Sequence, residues 1–281
     1  LRRGSSNRLS TLPGNRPMLE RIVARRKEAV RALDAGLVTP ALTLSAGVDR
    51  ILHMALPLSL SDSILAEPGV SLIAEVKRAS PSSGPIRPDC DPAEVARIYE
   101  ANGARAVSVL TEPEFFGGDP EHLSQVRDAV SLPVLCKDFI VSPAQVYQAR
   151  LLGADAVLLI MRILDDAQYR MLSALARDLG MECLTEVHDE TELERAIRGE
   201  ARTIGINNRN LQSLEIDLDV TARLIGLIPS DRVVVAASGV NSRADMVHMQ
   251  SLGVDAVLVG TSLMRAPDIA AKVRELVGAG Q

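Results

Sequence analysis

Eight short apolar runs, spaced so that one helix fits between each pair, constrain this chain more than any other feature. From residue 71 onward they read LIAEVK (72–77), AVSVL (106–110), PVLCK (133–137), DAVLLI (155–160), ECLTE (182–186), TIGIN (203–207), VVVAA (233–237) and AVLVG (256–260). Their length and β-branched content predict strands, and amphipathic segments such as 92–102, 143–152 and 243–252 fall between them. Strands alternating with helices call for a parallel sheet covered by helices. An internal echo marks the joints: Gly103-Ala-Arg-Ala-Val, Gly153-Ala-Asp-Ala-Val and Gly253-Val-Asp-Ala-Val. Each glycine sits where a helix ends and a strand begins, the place for a left-handed cap. Eight βα units close most naturally as a (β/α)8 TIM barrel of the α/β class. A doubly wound open sheet is the runner-up, but it usually has fewer strands and a glycine-rich first turn, and neither is seen.

The 281 residues suit one such barrel with a short extension. Hydrophobic residues make up 47 % but aromatics only 2 %, so the core must be aliphatic, as parallel-sheet interiors are. A formal charge of 31 − 36 = −5 and few aromatics argue against nucleic acid as a partner. No run of 18 or more apolar residues is present, so no membrane span is expected. Cys90, Cys136 and Cys183 are scattered and odd in number, which suits a reducing, cytoplasmic setting. The four histidines (His53, His122, His188, His248) lack ligand spacing, and no metal site is expected.

Residues 1–17 hold four Arg and three Ser but no acid. They read as a disordered basic arm, with a transit or tag remnant as the alternative. Residues 18–70 read as a helical extension and linker: a helix over 18–33, a weaker one near 47–56, then a linker through about residue 69. These elements are expected to cap one end of a barrel spanning 71–281. The Arg25-Arg26-Lys27 cluster reads as a solvated face.

The C-terminal ends of barrel strands carry the chemistry of this fold. Lys77, Lys137 and Glu186 stand there on the first, third and fifth strands. Glu75 shares a face with Lys77, because side chains two apart in a strand point the same way. Opposite charges on an inward apolar face are costly unless paired or used. The pair is therefore either a strand-end salt bridge or part of a site. Alternate strands feed one interior layer, so Lys77, Lys137 and Glu186 are expected in a single tier, with Ala237 in the fourth place. Three charges there would shift one another's pKa values, as acid–base sites require, which favours Lys77 as a substrate-facing cation. Ser238-Gly239 and Gly260-Thr261-Ser262 follow the last two strands, where this fold usually holds phosphate. Ser80 and Arg209 add donors from the opposite rim.

Several segments together resemble the indole-3-glycerol phosphate synthase family. They are LERIVARRKEAV (19–30), LIAEVKRASPSSG (72–84), SVLTEPEFFGG (108–118), LCKDFIV (135–141), CLTEVHDETEL (183–193), IGINNRNL (204–211) and LVGTSLMR (258–265), and the likeness covers roughly 19–277. The resemblance implies a lyase of tryptophan biosynthesis. It would convert 1-(2-carboxyphenylamino)-1-deoxyribulose 5-phosphate to indole-3-glycerol phosphate, CO2 and water, without cofactor or metal. It further implies Lys137 as the general acid at the ribulose carbonyl, and Lys77 as the partner of the anthranilate carboxylate and a candidate acid in dehydration. Glu186 is implied as general base and Glu75 as the group orienting its neighbouring lysine. Asn207, Pro81 and Ser82 would bind substrate, with Phe115 and Phe139 packing on the anthranilate ring. Ser80, Arg209, Ser238, Gly239, Gly260 and Thr261 would hold the phosphate. The partner would be a small phosphosugar, and the chain a monomer or weak homodimer.

One departure stands out. The family usually reads Glu-Ser-Gly where this chain reads Ala237-Ser238-Gly239, so weaker substrate positioning or reduced turnover is expected. Two rivals remain: another phosphosugar barrel, such as phosphoribosylanthranilate isomerase, and a non-catalytic phosphoribosyl-binding barrel. The first relies on an Asp or Cys acid–base pair at strand ends. The second has only Ala237 in its favour.

Overall fold

The echoed motif has a physical role at the bottom of the barrel. In a computed structural model that describes residues 17–34, 49–211 and 213–278, Gly103, Gly153 and Gly253 have φ of 103°, 89° and 90° and end helices in the left-handed region. The aspartates two residues on then bond back to the preceding strand: Asp155 Oδ2 accepts from the Val134 N–H (2.7 Å) and Asp255 Oδ2 from the Val234 N–H (2.7 Å). Asp155 also takes the Leu58 N–H and the Arg127 guanidinium, so it ties three segments together.

The strands are β1 (Ser71–Val76), β2 (Ala106–Leu110), β3 (Val134–Lys137), β4 (Ala156–Ile160), β5 (Glu182–Val187), β6 (Thr203–Asn207), β7 (Val233–Ala237) and β8 (Ala256–Val259). They form a closed, all-parallel barrel in sequence order, with β8 pairing β1. Helices including Pro92–Ala101, Pro143–Leu151, Asp166–Asp178 and Arg243–Leu252 surround it. This is the (β/α)8 architecture, and strand bounds fall within a residue of those expected from the apolar runs.

Two-residue alternation splits the core into two layers. Leu72, Ala74 and Val76 of β1 face outward to the helices. Ile73, Leu135, Leu184 and Val235 face inward and fill the barrel with Leu158 and Leu258. Each such aliphatic side chain contributes roughly 1.5–3 kcal/mol on burial. The inward positions two residues further toward the C-terminal mouth are Glu75, Lys137, Glu186 and Ala237. In the sheared register these form one tier.

The N-terminal extension covers both ends rather than one. Helix α1 (Met18–Asp34) lays Leu19 and Ile22 on the inward cluster at the mouth. The segment expected as a linker contains a second helix, Leu60–Leu65, which plugs the bottom with Leu60 and Ile64. Ser59 caps it, accepting from the Asp62 N–H, and Glu182 at the foot of β5 accepts from Ser59 and Ser61. Of the weaker helix expected near 47–56, residues 49–52 are helical, and the remainder of that stretch before residue 49 lies outside the described residues. The basic arm expected at 1–17 lies outside them too, apart from Pro17.

Candidate active site

A cavity of about 320 Å³ opens at the C-terminal mouth, floored by the polar tier and roofed in part by α1. Glu75, Lys77, Lys137, Glu186, Asn207 and Ala237 all line it. Lys137 ends β3 with its Nζ 3.7 Å from Glu186 Oε2, an ion-pair distance too long for a hydrogen bond. Glu186, buried on β5, accepts from Asn207 Nδ2 at 3.1 Å through its other oxygen. Asn207 in turn accepts the Arg209 N–H through Oδ1 (3.0 Å), so its amide orientation is set by two partners.

The sequence placed Lys77 in the tier, and the register corrects this. Glu75 holds the tier position, while Lys77 lies one inward place nearer the mouth. Lys77 reaches back to Glu75, Nζ to Oε1 at 2.8 Å. Salt bridge and site are therefore not alternatives, since the pair is formed and both members line the cavity. Gly260 makes room for it. A Cβ there would overlap Glu75 Oε1 and stand 3.0 Å from Lys77 Nζ.

Small residues line the far rim. Ser238 and Gly239 follow β7 with φ of 69° and 93°, two consecutive left-handed residues that turn the backbone at the cavity edge. A side chain at Gly239 would strike Leu218 Cδ2 at 2.6 Å and Ile216 Cγ2 at 2.7 Å, so glycine is required there by space as well as by φ. Gly260, Thr261, Ser80, Pro81, Ser82 and Arg209 share the same cavity. Burial draws the Arg209 guanidinium below its ordinary pKa, and Nη1 donates to the Leu214 carbonyl at 2.8 Å.

Phe139 lines the cavity, but Phe115 does not; the neighbouring Phe116 takes that place, with its ring centroid 5.9 Å from that of Phe139. Phe115 instead lies under the Arg21 guanidinium of α1, at 5.9 Å. The cause is the four-residue helix Pro113–Phe116, which is capped by Glu112 and turns adjacent side chains about 100° apart. Arg26 is a second correction. Far from being solvated, it forms a bidentate bridge to Asp138, beside Lys137, at 2.8 and 2.5 Å. Sequence reasoning did not single out Met18, Leu211 and Arg265 in the lining. Leu211 and Arg265 had a signal, as the last residues of IGINNRNL and LVGTSLMR. Among the described residues, no grouping of three or more His, Cys, Asp or Glu could hold a metal ion.

A (β/α)8 barrel that gathers two lysines and two glutamates at its C-terminal mouth is a barrel enzyme built for acid–base chemistry. Comparison with known proteins narrows the class. The family model described as "Indole-3-glycerol phosphate synthase" matches residues 19–276. A protein of that name from Acetivibrio thermocellus is 48 % identical over 219 residues, 78 % of this chain and 84 % of the relative. Another from Dehalococcoides mccartyi is 54 % identical over 211 residues, 74 % of this chain and 82 % of the relative. The chain belongs to the indole-3-glycerol phosphate synthase family. Similar solved structures support the fold alone. The 3-hexulose-6-phosphate synthase of Salmonella typhimurium matches with a TM-score of 0.62 at 15 % identity, covering 74 % of this chain and 97 % of that one. The thiamine phosphate pyrophosphorylase of Pyrococcus furiosus gives 0.57 at 18 %, covering 74 % and 94 %.

Proposed function

We propose that this protein is the synthase for which its family is named. It closes the indole ring of 1-(2-carboxyphenylamino)-1-deoxyribulose 5-phosphate with loss of CO2 and water, giving indole-3-glycerol phosphate for tryptophan biosynthesis. The observation that carries the reading is the 3.7 Å approach of Lys137 to Glu186, within one cavity that also receives Lys77 and the two small-residue loops.

In this reading Lys137 Nζ gives a proton to the ribulose carbonyl oxygen as the aromatic carbon bearing the carboxylate attacks the carbonyl carbon. The C–C bond to CO2 then breaks, and its electron pair stays in the ring system. Lys77 first pairs with the anthranilate carboxylate and then protonates the departing hydroxyl, so that it leaves as water. Glu186 takes the proton whose loss completes the indole. A lysine ammonium held within hydrogen-bond reach of the oxygen it protonates serves as a general acid. Glu75 orients Lys77, and Asn207 donates to substrate. Phe139 packs on the anthranilate ring with Phe116, which replaces Phe115 in that role. Ser80, Arg209, Ser238, Gly239, Gly260 and Thr261 hold the phosphate; Pro81 and Ser82 close over the sugar.

We place the enzyme in the cytoplasm as a monomer or weak homodimer. Its three cysteines are unpaired, and no described helix is long and apolar enough to cross a membrane. The test is to add the ribulose substrate and follow indole fluorescence, which should rise. Bound substrate without signal would favour the non-catalytic barrel, the reading Ala237 invites.

A further inference from the structure

His188 follows β5 two residues after Glu186 and is buried between two carboxylates. Its Nδ1 lies 3.0 Å from Glu192 Oε2, and its Nε2 lies 3.4 Å from Glu186 Oε1. Glu192 also accepts the His188 backbone N–H at 2.9 Å and Arg162 Nε at 2.5 Å, while Arg162 Nη2 reaches Asp189 at 2.7 Å. On the cavity side Glu186 faces Lys137 Nζ and the Asn207 amide. His188 Nε2 is fully buried and has no hydrogen-bond partner.

A neutral imidazole has one N–H and one lone pair, so it can serve only one of two flanking acceptors. Burial alone would raise the Glu192 carboxyl, but hydrogen bonds from His188 and Arg162 outweigh it and hold Glu192 below its ordinary range. That acid is ionised and fixes the proton on Nδ1. A neutral ring would then turn a lone pair at Glu186 in a buried place. A doubly protonated ring turns an N–H toward each acid, at 3.0 Å from Glu192 and at the charge-pair distance of 3.4 Å from Glu186. It also places a positive charge between two buried carboxylates, Glu186 and Glu192, which face Lys137 and Arg162 on their other sides.

We propose that His188 is an imidazolium positioning residue, anchored by Glu192 and Arg162, whose Nε2–H turns Glu186 Oε1 away from the substrate and keeps the carboxylate ionised. Oε2 is thereby left directed at Lys137 and the cavity. The inference rests on Glu186 being the general base of the proposed reaction. His188 touches no substrate itself and acts through Glu186.

Two measurements test it. The first is ring-nitrogen NMR of the unmodified protein, which has only four histidines, with the signals assigned through the backbone. At pH 7.5, above the ordinary imidazole pKa of about 6.5, His188 should still carry protons on both nitrogens. A neutral ring protonated at Nδ1 alone would overturn the proposal. This readout needs neither a variant nor activity. The second is His188→Asn, whose amide still donates to Glu192 but offers nothing to Glu186. Loss of the neighbouring cation should move the acid limb of kcat against pH upward by about one unit. Below the limb kcat then falls about tenfold, with KM at its wild-type value. An unmoved limb, or one moved downward, contradicts the proposal. The two readings fail separately: Glu186→Gln with a wild-type rate would remove the base assignment whatever the charge on His188.

Discussion

Gly260 shows how closely the charged residues are fitted. A methyl group there would overlap Glu75 and crowd Lys77, so Gly260→Ala must displace the pair from its present geometry. The expected result is a fall in kcat/KM of about 10- to 100-fold, with the fold retained, read from steady-state kinetics and a thermal melt. Ala237 is the complementary case. It occupies the tier place across from Lys137 where the family resemblance leads one to expect a glutamate, and Ala237→Glu should raise kcat/KM. Unchanged kcat and KM would mean the missing carboxylate is not limiting. At this scale the sequence was a better guide to which residues reach the mouth than to their aim. Glu75, Lys77, Lys137 and Glu186 could be placed there from strand ends and strand alternation, whereas Asn207 entered only through the family resemblance. Phe115 was exchanged for Phe116 because the orientation comes from a one-turn helix too short to leave a periodic pattern. The Glu186–His188–Glu192 chain was invisible, since no spacing rule says which way a residue just past a strand end turns.

Helix α1 joins the scaffold to the chemistry. Arg26 holds it down by gripping Asp138, which also accepts from Thr111 Oγ1 at 2.6 Å and the Phe139 N–H at 2.7 Å. Removing one partner of a buried ion pair costs roughly 3–5 kcal/mol. Arg26→Ala should therefore lower Tm and raise KM together, because α1 supplies Met18, Leu19 and Ile22 to the cavity roof. A lower Tm with unchanged KM would mean that α1 stabilises the barrel without shaping the site. The helix itself was evident from its apolar spacing; its contact with Asp138 was not, since a basic cluster looks alike whether solvated or docked. The Leu60–Leu65 helix was hidden for the opposite reason. Six residues give fewer than two turns of pattern, and its stability comes from Ser59 capping and the floor of the barrel.

For the molecule as a whole, closure was legible because eight apolar runs and three glycine joints repeat with one phase, and local pattern and global fold agree. The tier was misplaced by one inward position because shear, which decides which residues share a layer, depends on register and not on spacing. Global stability should also carry the mark of the Glu192 network. Its folded pKa lies below the ordinary 4.5, so its contribution is present above that value and lost as pH falls through the folded one. Wild-type Tm should therefore drop on acidification below about pH 4.5 more steeply than that of Glu192→Gln, and parallel curves would contradict this.

The account turns on Lys137 as the acid for ring closure. The direct measurement is indole fluorescence after the ribulose substrate is added to the wild type and to Lys137→Ala at matched concentration. The prediction is a steady rise for the wild type and none for the variant, which should stay folded and still bind substrate. Ring closure at the full wild-type rate by Lys137→Ala would contradict it.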